Sequence, residues 1–153
     1  MSNLLRLYQK MTRYPAGRWL FTRAVCFRAP YFGSIHPHFD RLETGIAEAH
    51  LKRRRSVQNH IGTIHAIALC NLAEMVAGVG IDATLTSDRR WIPKGMNVQY
   101  LAKCKHEAHA KARIVIPDDI GTGYNCIVPV DIFDRDGSKV FHADINMWVT
   151  PKK

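Results

Sequence analysis

At 153 residues, 46% of them apolar, the chain is long enough for one domain with its own core and needs no disulfide or metal staple. Lys and Arg number 22 against 13 Asp and Glu, a formal charge of +9 that favours anionic partners (nucleic acid, anionic lipid, small phosphorylated ligands) without choosing among them. The cysteines Cys26, Cys70, Cys104 and Cys126 are scattered and form no Cys-x-x-Cys pair, and the N-terminus shows no charged-then-apolar leader, so reduced thiols in a cytoplasmic protein are expected.

Residues 1–28 carry two helical patterns. Leu4, Leu5, Leu7, Tyr8 and Met11 make one apolar face, stopped near Pro15; Trp19, Leu20, Ala24, Val25 and Phe27 make a second, stopped before Pro30. The interleaved Arg6, Lys10, Arg13, Arg18, Arg23 and Arg28 fit a solvated face on helices packed against the domain, with a membrane-surface anchor as the rival. Residues 29–39 read as a loop, and His36 and His38 lack the third ligand that a metal site needs. Residues 39–53 read as one strand with a bulge or close contact at Gly45, ending in the basic run from Lys52 to Arg55.

Residues 59–80 read as one helix, apolar on nearly every side, with Thr63 as its expected N-cap and Gly78 and Gly80 as its end. Its apolar run is shorter than the roughly 18 residues of a membrane span and contains His65, Asn71 and Glu74, so a core helix is expected. An isolated buried carboxylate is costly, which singles out Glu74. Residues 82–95 look irregular. Strand periodicity then runs through 96–104, 108–116, 126–132 and 141–149, with a hairpin turn at Asp134-Arg135-Asp136-Gly137. Pro129 predicts an edge position or a bulge. His106 and His109 would face opposite ways in a strand, so no metal is expected there. The fold class is α+β: a five-stranded antiparallel sheet wrapped around one long central helix, with extra N-terminal helices.

Asn59, the turn Gly62-Thr63, His65, and Leu72-Ala73-Glu74 ending nine residues beyond that His resemble the hotdog-fold acyl-CoA thioesterases, specifically the phenylacetate-pathway type. That pattern is an Asn, a Gly-rich turn, His-Gly-Gly, and Leu-Ala-Asp. The segment MNVQYLAKCK resembles the family's second strand. The likeness begins at residue 38, so 38–153 would be the hotdog core and 1–35 a helical extension of a less characterised thioesterase-like branch. Three departures from the pattern stand out. Ala66-Ile67 replaces Gly-Gly, Glu74 replaces Asp, and Pro93 stands where the family has Ser or Thr.

Nine residues rotate a helix by about 900° and advance it ~13 Å, so His65 and Glu74 cannot meet within one copy. A two-fold dimer would pair His65 of one chain with Glu74 of the other, in keeping with the dimers and tetramers that the resemblance implies. Glu74 would be the general base or nucleophile and the Ala66 N–H the oxyanion donor, with Asn59 orienting substrate or water and His65 stabilising charge. Gly62 and Thr63 would shape the substrate turn, while Arg53, Arg54, Arg55 and Lys94 would hold coenzyme A phosphates. The N-terminal helices would cap an acyl tunnel. Expected partners are an acyl-CoA or other acyl thioester and further copies of the chain, with no cofactor, metal, nucleic acid or stable membrane insertion. The rivals are a non-hydrolysing acyl-CoA or acyl-chain binding module, a hotdog dehydratase, and a nucleic-acid protein supported by charge alone.

Overall fold

The computed structural model describes residues 2–152; Met1 and Lys153, the outer ends of the ranges 1–35 and 38–153, lie outside the described residues. The Ser2 hydroxyl caps α1 (Asn3–Met11) by accepting the Leu5 N–H at 3.1 Å, and α2 (Gly17–Arg28) and the one-turn α3 (Pro30–Gly33) follow. On α2 the buried residues are Gly17, Phe21, Thr22 and Cys26, whereas Trp19, Leu20 and Phe27 stand exposed. That corrects the expected apolar face. The deciding contacts are tertiary: the rings of Tyr8, Phe21 and Phe39 meet edge to face at 5.0 and 5.6 Å, and the Thr22 hydroxyl accepts the Phe39 N–H at 3.0 Å. The two helices are thereby fastened to the sheet, with Arg6, Lys10, Arg13, Arg18, Arg23 and Arg28 on the outside.

The segment expected as one strand is a hairpin, β1 (His38–Glu43) and β2 (Ile46–Lys52). Gly45 sits at φ 80°, a turn conformation rather than a bulge, and Glu43 faces Ile46 across the two-residue connection. The sheet therefore has six antiparallel strands instead of five, in the order β1-β2-β4-β5-β6-β3. Here β3 is Arg89–Tyr100, β4 Glu107–Arg113, β5 Tyr124–Asp134 and β6 Lys139–Pro151. The stretch 82–95 is thus largely ordered: helix to Thr84 and strand from Arg89. Its period is broken at a bulge between Pro93 and Gly95, on an edge strand. Pro129 lies one residue past Val130, where the β4 ladder stops, so no hydrogen bond from its nitrogen is needed on that side. The Asp134–Gly137 turn joins β5 to β6 as expected, with Gly137 at φ 87°.

The central helix α4 runs Ala66–Thr84. An 18-residue window of it has a mean hydropathy of 1.5, enough in length and composition to cross a membrane, but 72% of that window is buried inside the domain. Gly78 and Gly80 do not end it. A Cβ on Gly80 would stand 2.7 Å from Ile114 Cδ1 and 3.0 Å from Ala47 Cβ, and one on Gly78 would meet the Trp91 ring at 3.0 Å. These glycines let strand side chains close onto the helix. The sheet curls around α4, and Leu72, Met75, Val76 and Ile81 are fully enclosed with Leu51, Ile132, Phe141, Ile145 and Met147.

Candidate active site at the tip of the central helix

The tip of α4 is built by a turn that Asn59 closes. Its Oδ1 accepts from the N–H groups of Ile61 and Thr63, each at 3.1 Å, and its Nδ2 donates to the Thr63 hydroxyl at 2.8 Å. Gly62 takes φ 78° at the bend. Thr63 is therefore locked inside the turn and is not the N-cap. The cap is His65, whose Nδ1 accepts the Ile67 N–H at 3.1 Å. An accepting Nδ1 carries no proton, so the neutral ring presents Nε2–H outward. Backbone bonds from His65 to the Val57 carbonyl (2.8 Å) and from Ile64 to the Cys104 carbonyl (2.9 Å) hold the tip against neighbouring loops.

This arrangement leaves one amide over. The Ala66 N–H has no hydrogen-bond partner among the described residues, and the first turn of α4 carries no acid to neutralise the positive end of its dipole. Ala66 and Asn59 share a hollow of about 270 Å³ with Tyr100, Leu101 and Cys104. On the other side of the tip, His65 and Ile67 border a hollow of about 200 Å³ with Ser34 and Asn71. Asn71 is 6% exposed; its Nδ2 donates to the Tyr31 carbonyl at 3.3 Å and to the Ser34 hydroxyl at 3.4 Å, while its Oδ1 is buried without a partner among the described residues. In the sequence Asn71 counts only as a polar residue unfit for a membrane span; an unsatisfied acceptor needs the fold to reveal it.

Glu74 is half-buried and makes no ion pair or side-chain hydrogen bond among the described residues. It continues a stripe, Ile67–Cys70–Glu74, along which the first half of α4 is uncovered. Beside that stripe runs β3, where the Tyr100 hydroxyl lies 3.6 Å from Cys70 Sγ. The cysteines are all free, and burial pushes the Cys104 thiol up to about 12. Of the basic candidates, Arg53 reaches the tip, its Nη1 donating to the Gly62 carbonyl at 3.1 Å. Arg54 instead lines a hollow with Trp19, Arg23 and Lys52, and Arg55 opens a short 3-10 turn. Lys94 is not brought to the tip. Its ammonium lies 4.5 Å from the centre of the Trp148 ring, a β6 residue alternating with those that face α4. The bulge after Pro93 turns it to that side.

One turn beyond Glu74, Gly78 and Val79 help line an apolar cavity of about 570 Å³ between α4 and the N-terminal helices, walled by Leu7, Phe21, Ala24, Val25 and Phe32.

A carboxylate on the uncovered stripe, a free amide at the helix tip and an apolar cavity between the second half of α4 and the N-terminal helices can be set beside known proteins. Residues 17–149 match the family described as a domain of unknown function, DUF4442. The chain belongs to that family. No curated protein matches it. The crystal structure of genomics APC5556 is 42% identical, with a TM-score of 0.82 over 97% of this chain and 99% of that one. A Pseudomonas aeruginosa protein of unknown function, PA5026, described as a probable thioesterase, is 19% identical with a TM-score of 0.76, over 84% of this chain and 91% of that one. A hypothetical thioesterase from Streptococcus pneumoniae, crystallised with coenzyme A, is also 19% identical, with a TM-score of 0.69 over 84% and 98% of the two chains. Several structural neighbours of this DUF4442 chain are described as thioesterases, and its own fold is the hotdog.

Proposed function

We propose that this DUF4442 chain hydrolyses acyl-CoA thioesters at a site assembled from two copies. The observation that carries the reading is the unpartnered Ala66 N–H at the positive tip of α4, together with a carboxylate, Glu74, on the uncovered stripe of the same helix. The thioester oxygen binds at the Ala66 N–H of one copy, where developing negative charge is stabilised. Glu74 of the other copy takes a proton from water, the hydroxide attacks the carbonyl carbon, and the thiolate leaves with that proton as the C–S bond breaks. Asn59 acts by holding the turn and so the amide, a positioning role in place of the direct contact expected from the sequence.

The second copy is supported by the sheet itself. Strand β3 is 12 residues long, lies at the sheet edge, and exposes Ile92, Met96 and Tyr100. A long unpaired apolar edge is a template for another strand. Pairing β3 with its own copy would bring two Ile67–Cys70–Glu74 stripes towards each other around a two-fold axis. Coenzyme A as the thiol carrier is supported by the pneumococcal neighbour crystallised with it and by Arg53 at the tip. The free cysteines suit a reducing compartment, the cytoplasm.

The acyl chain is assigned to the cavity between α4 and the N-terminal helices. Ala24→Trp on its wall is expected to shift the preferred substrate towards shorter acyl groups without loss of rate on the shortest. Thiol release measured over acyl-CoAs of graded length tests both points: an unchanged length profile removes the chain from this cavity, and no release from any length removes hydrolysis. A non-hydrolysing acyl-CoA binder is the second reading, favoured by Pro93, which brings no hydroxyl to the helix-facing side of β3. Binding without release selects it.

A further inference from the structure

On the face of the sheet opposite α4, the register sets His38 of β1 beside His50 of β2, and His50 beside His109 of β4. The three imidazoles form a row across the strands, with centroids 5.2 and 5.5 Å apart. The irregularity between Phe39 and Arg41 turns Asp40 into this row, its two carboxylate oxygens 2.8 and 2.9 Å from His50 Nδ1. Glu107 joins from β4, its Oε1 3.3 Å from His109 Nε2 and 3.8 Å from His50 Nε2. One ligand atom from each of Asp40, His50 and His109 lies within 4.8 Å of the others, and all three residues are half-buried. Lys52 and Lys111 share the face, but each stands directly across from a carboxylate, Glu107 and Glu48.

Two imidazoles and a carboxylate on rigid strands are the donor set of a borderline divalent ion. Ligands of a tetrahedral zinc, about 2.1 Å from the metal, stand roughly 3.4 Å apart, against a spread of at most 4.8 Å here. The ion would replace the His50 Nδ1–Asp40 hydrogen bond, the neutral ring keeping its one proton on Nε2, on the side of Glu107. Glu107 keeps the rings aimed, as an outer carboxylate does in many zinc sites.

We propose that Asp40, His50 and His109 form a divalent transition-metal site, with zinc the fitting ion and Glu107 its positioning residue. The site is separate from the helix tip and does not depend on the thioester reading. It would pin the edge hairpin β1–β2 to β4. The sequence hides it, because the ligands come from three strands and meet only through their register.

Calorimetric titration of the chelator-stripped full chain with zinc chloride is expected to show one ion per chain and a raised Tm. Asp40→Asn and His109→Ala should abolish that one-to-one binding, and Glu107→Gln should weaken it by about tenfold. Cobalt(II) on the unaltered protein gives an independent reading: its paramagnetism should broaden the ring signals of His50 and His109 and leave those of His60 and His65 sharp. The assignment is overturned by the absence of stoichiometric zinc binding, by equal binding in the ligand variants, or by cobalt broadening centred on His60 or His65. If the variants do not fold, the cobalt experiment decides.

Discussion

Glu74→Gln is expected to lower acyl-CoA hydrolysis by about 10²-fold or more, the usual worth of a positioned base, while fold and assembly stay as they are. Gln keeps the size and polarity of Glu74, and no ion pair is lost, because Glu74 has none among the described residues. Ala66→Pro supplies the matching lesion at the other end of the site. Pro lacks the N–H, fits the first turn of a helix, and requires an extended residue before it; His65 already has ψ 137°. Each variant alone should be inactive. Mixed and reassembled in equal amounts, they should recover about a quarter of the wild-type rate, since half the dimers are mixed and each mixed dimer holds one intact site. Two inactive variants that stay inactive when exchange of chains is verified would place both groups in one copy and end the shared-site mechanism. Hydrolysis unchanged by Glu74→Gln would end the role of Glu74 altogether.

The proposal of a shared site comes from α4. A carboxylate amid the apolar run of Leu72, Ala73, Met75 and Val76 needs a reason, and helical geometry alone forbids the pairing of His65 with Glu74 in one chain. What the sequence could not supply is the local wiring of the tip. His is an uncommon cap, and Thr63 has the more usual chemistry, but the Asn59 amide claims Thr63 first. The two glycines of α4 read equally well as a stop or as a close approach, and only Ala47, Ile114 and Trp91 decide between them. The β1–β2 hairpin is missed because Thr44-Gly45 lacks the Asn-Gly or Asp-Gly signature of tight hairpins. Strand β3 is half-missed because an edge strand need not alternate, and Pro93-Lys94-Gly95 breaks its period. The periodic strands β5 and β6, each covered on one face by α4, were readable to within a few residues. Lys94 shows the limit from the other side: its charge suits phosphate, but a bulge decides which face it serves.

The largest stability effect is expected at Asp134, the first residue of the β5–β6 turn. Its side chain is almost completely buried beneath the loop that leads into β4. Burial pushes the carboxyl up, but hydrogen bonds from the N–H groups of Lys105, Glu107 and Arg135 and from the His106 ring outweigh it and hold the group down at about 2. A folded-state value below the ordinary 3.8 means that the ionised form favours the fold. The contribution is complete above about pH 5 and is lost progressively as pH falls through the folded value towards about 1, where the folded group too is protonated; it amounts to about 2 kcal/mol. Asp134→Asn should remove it at neutral pH, and Asp134→Ala should cost about 3 kcal/mol because several buried donors then lose their acceptor. Urea unfolding at pH 7, 4 and 2.5 measures both. The difference between the native chain and Asp134→Asn should narrow as pH falls, whatever the other carboxylates contribute to each curve. A difference that stays constant with pH would mean that the charge of Asp134 does not hold the turn, and that shape alone joins β5 to β6.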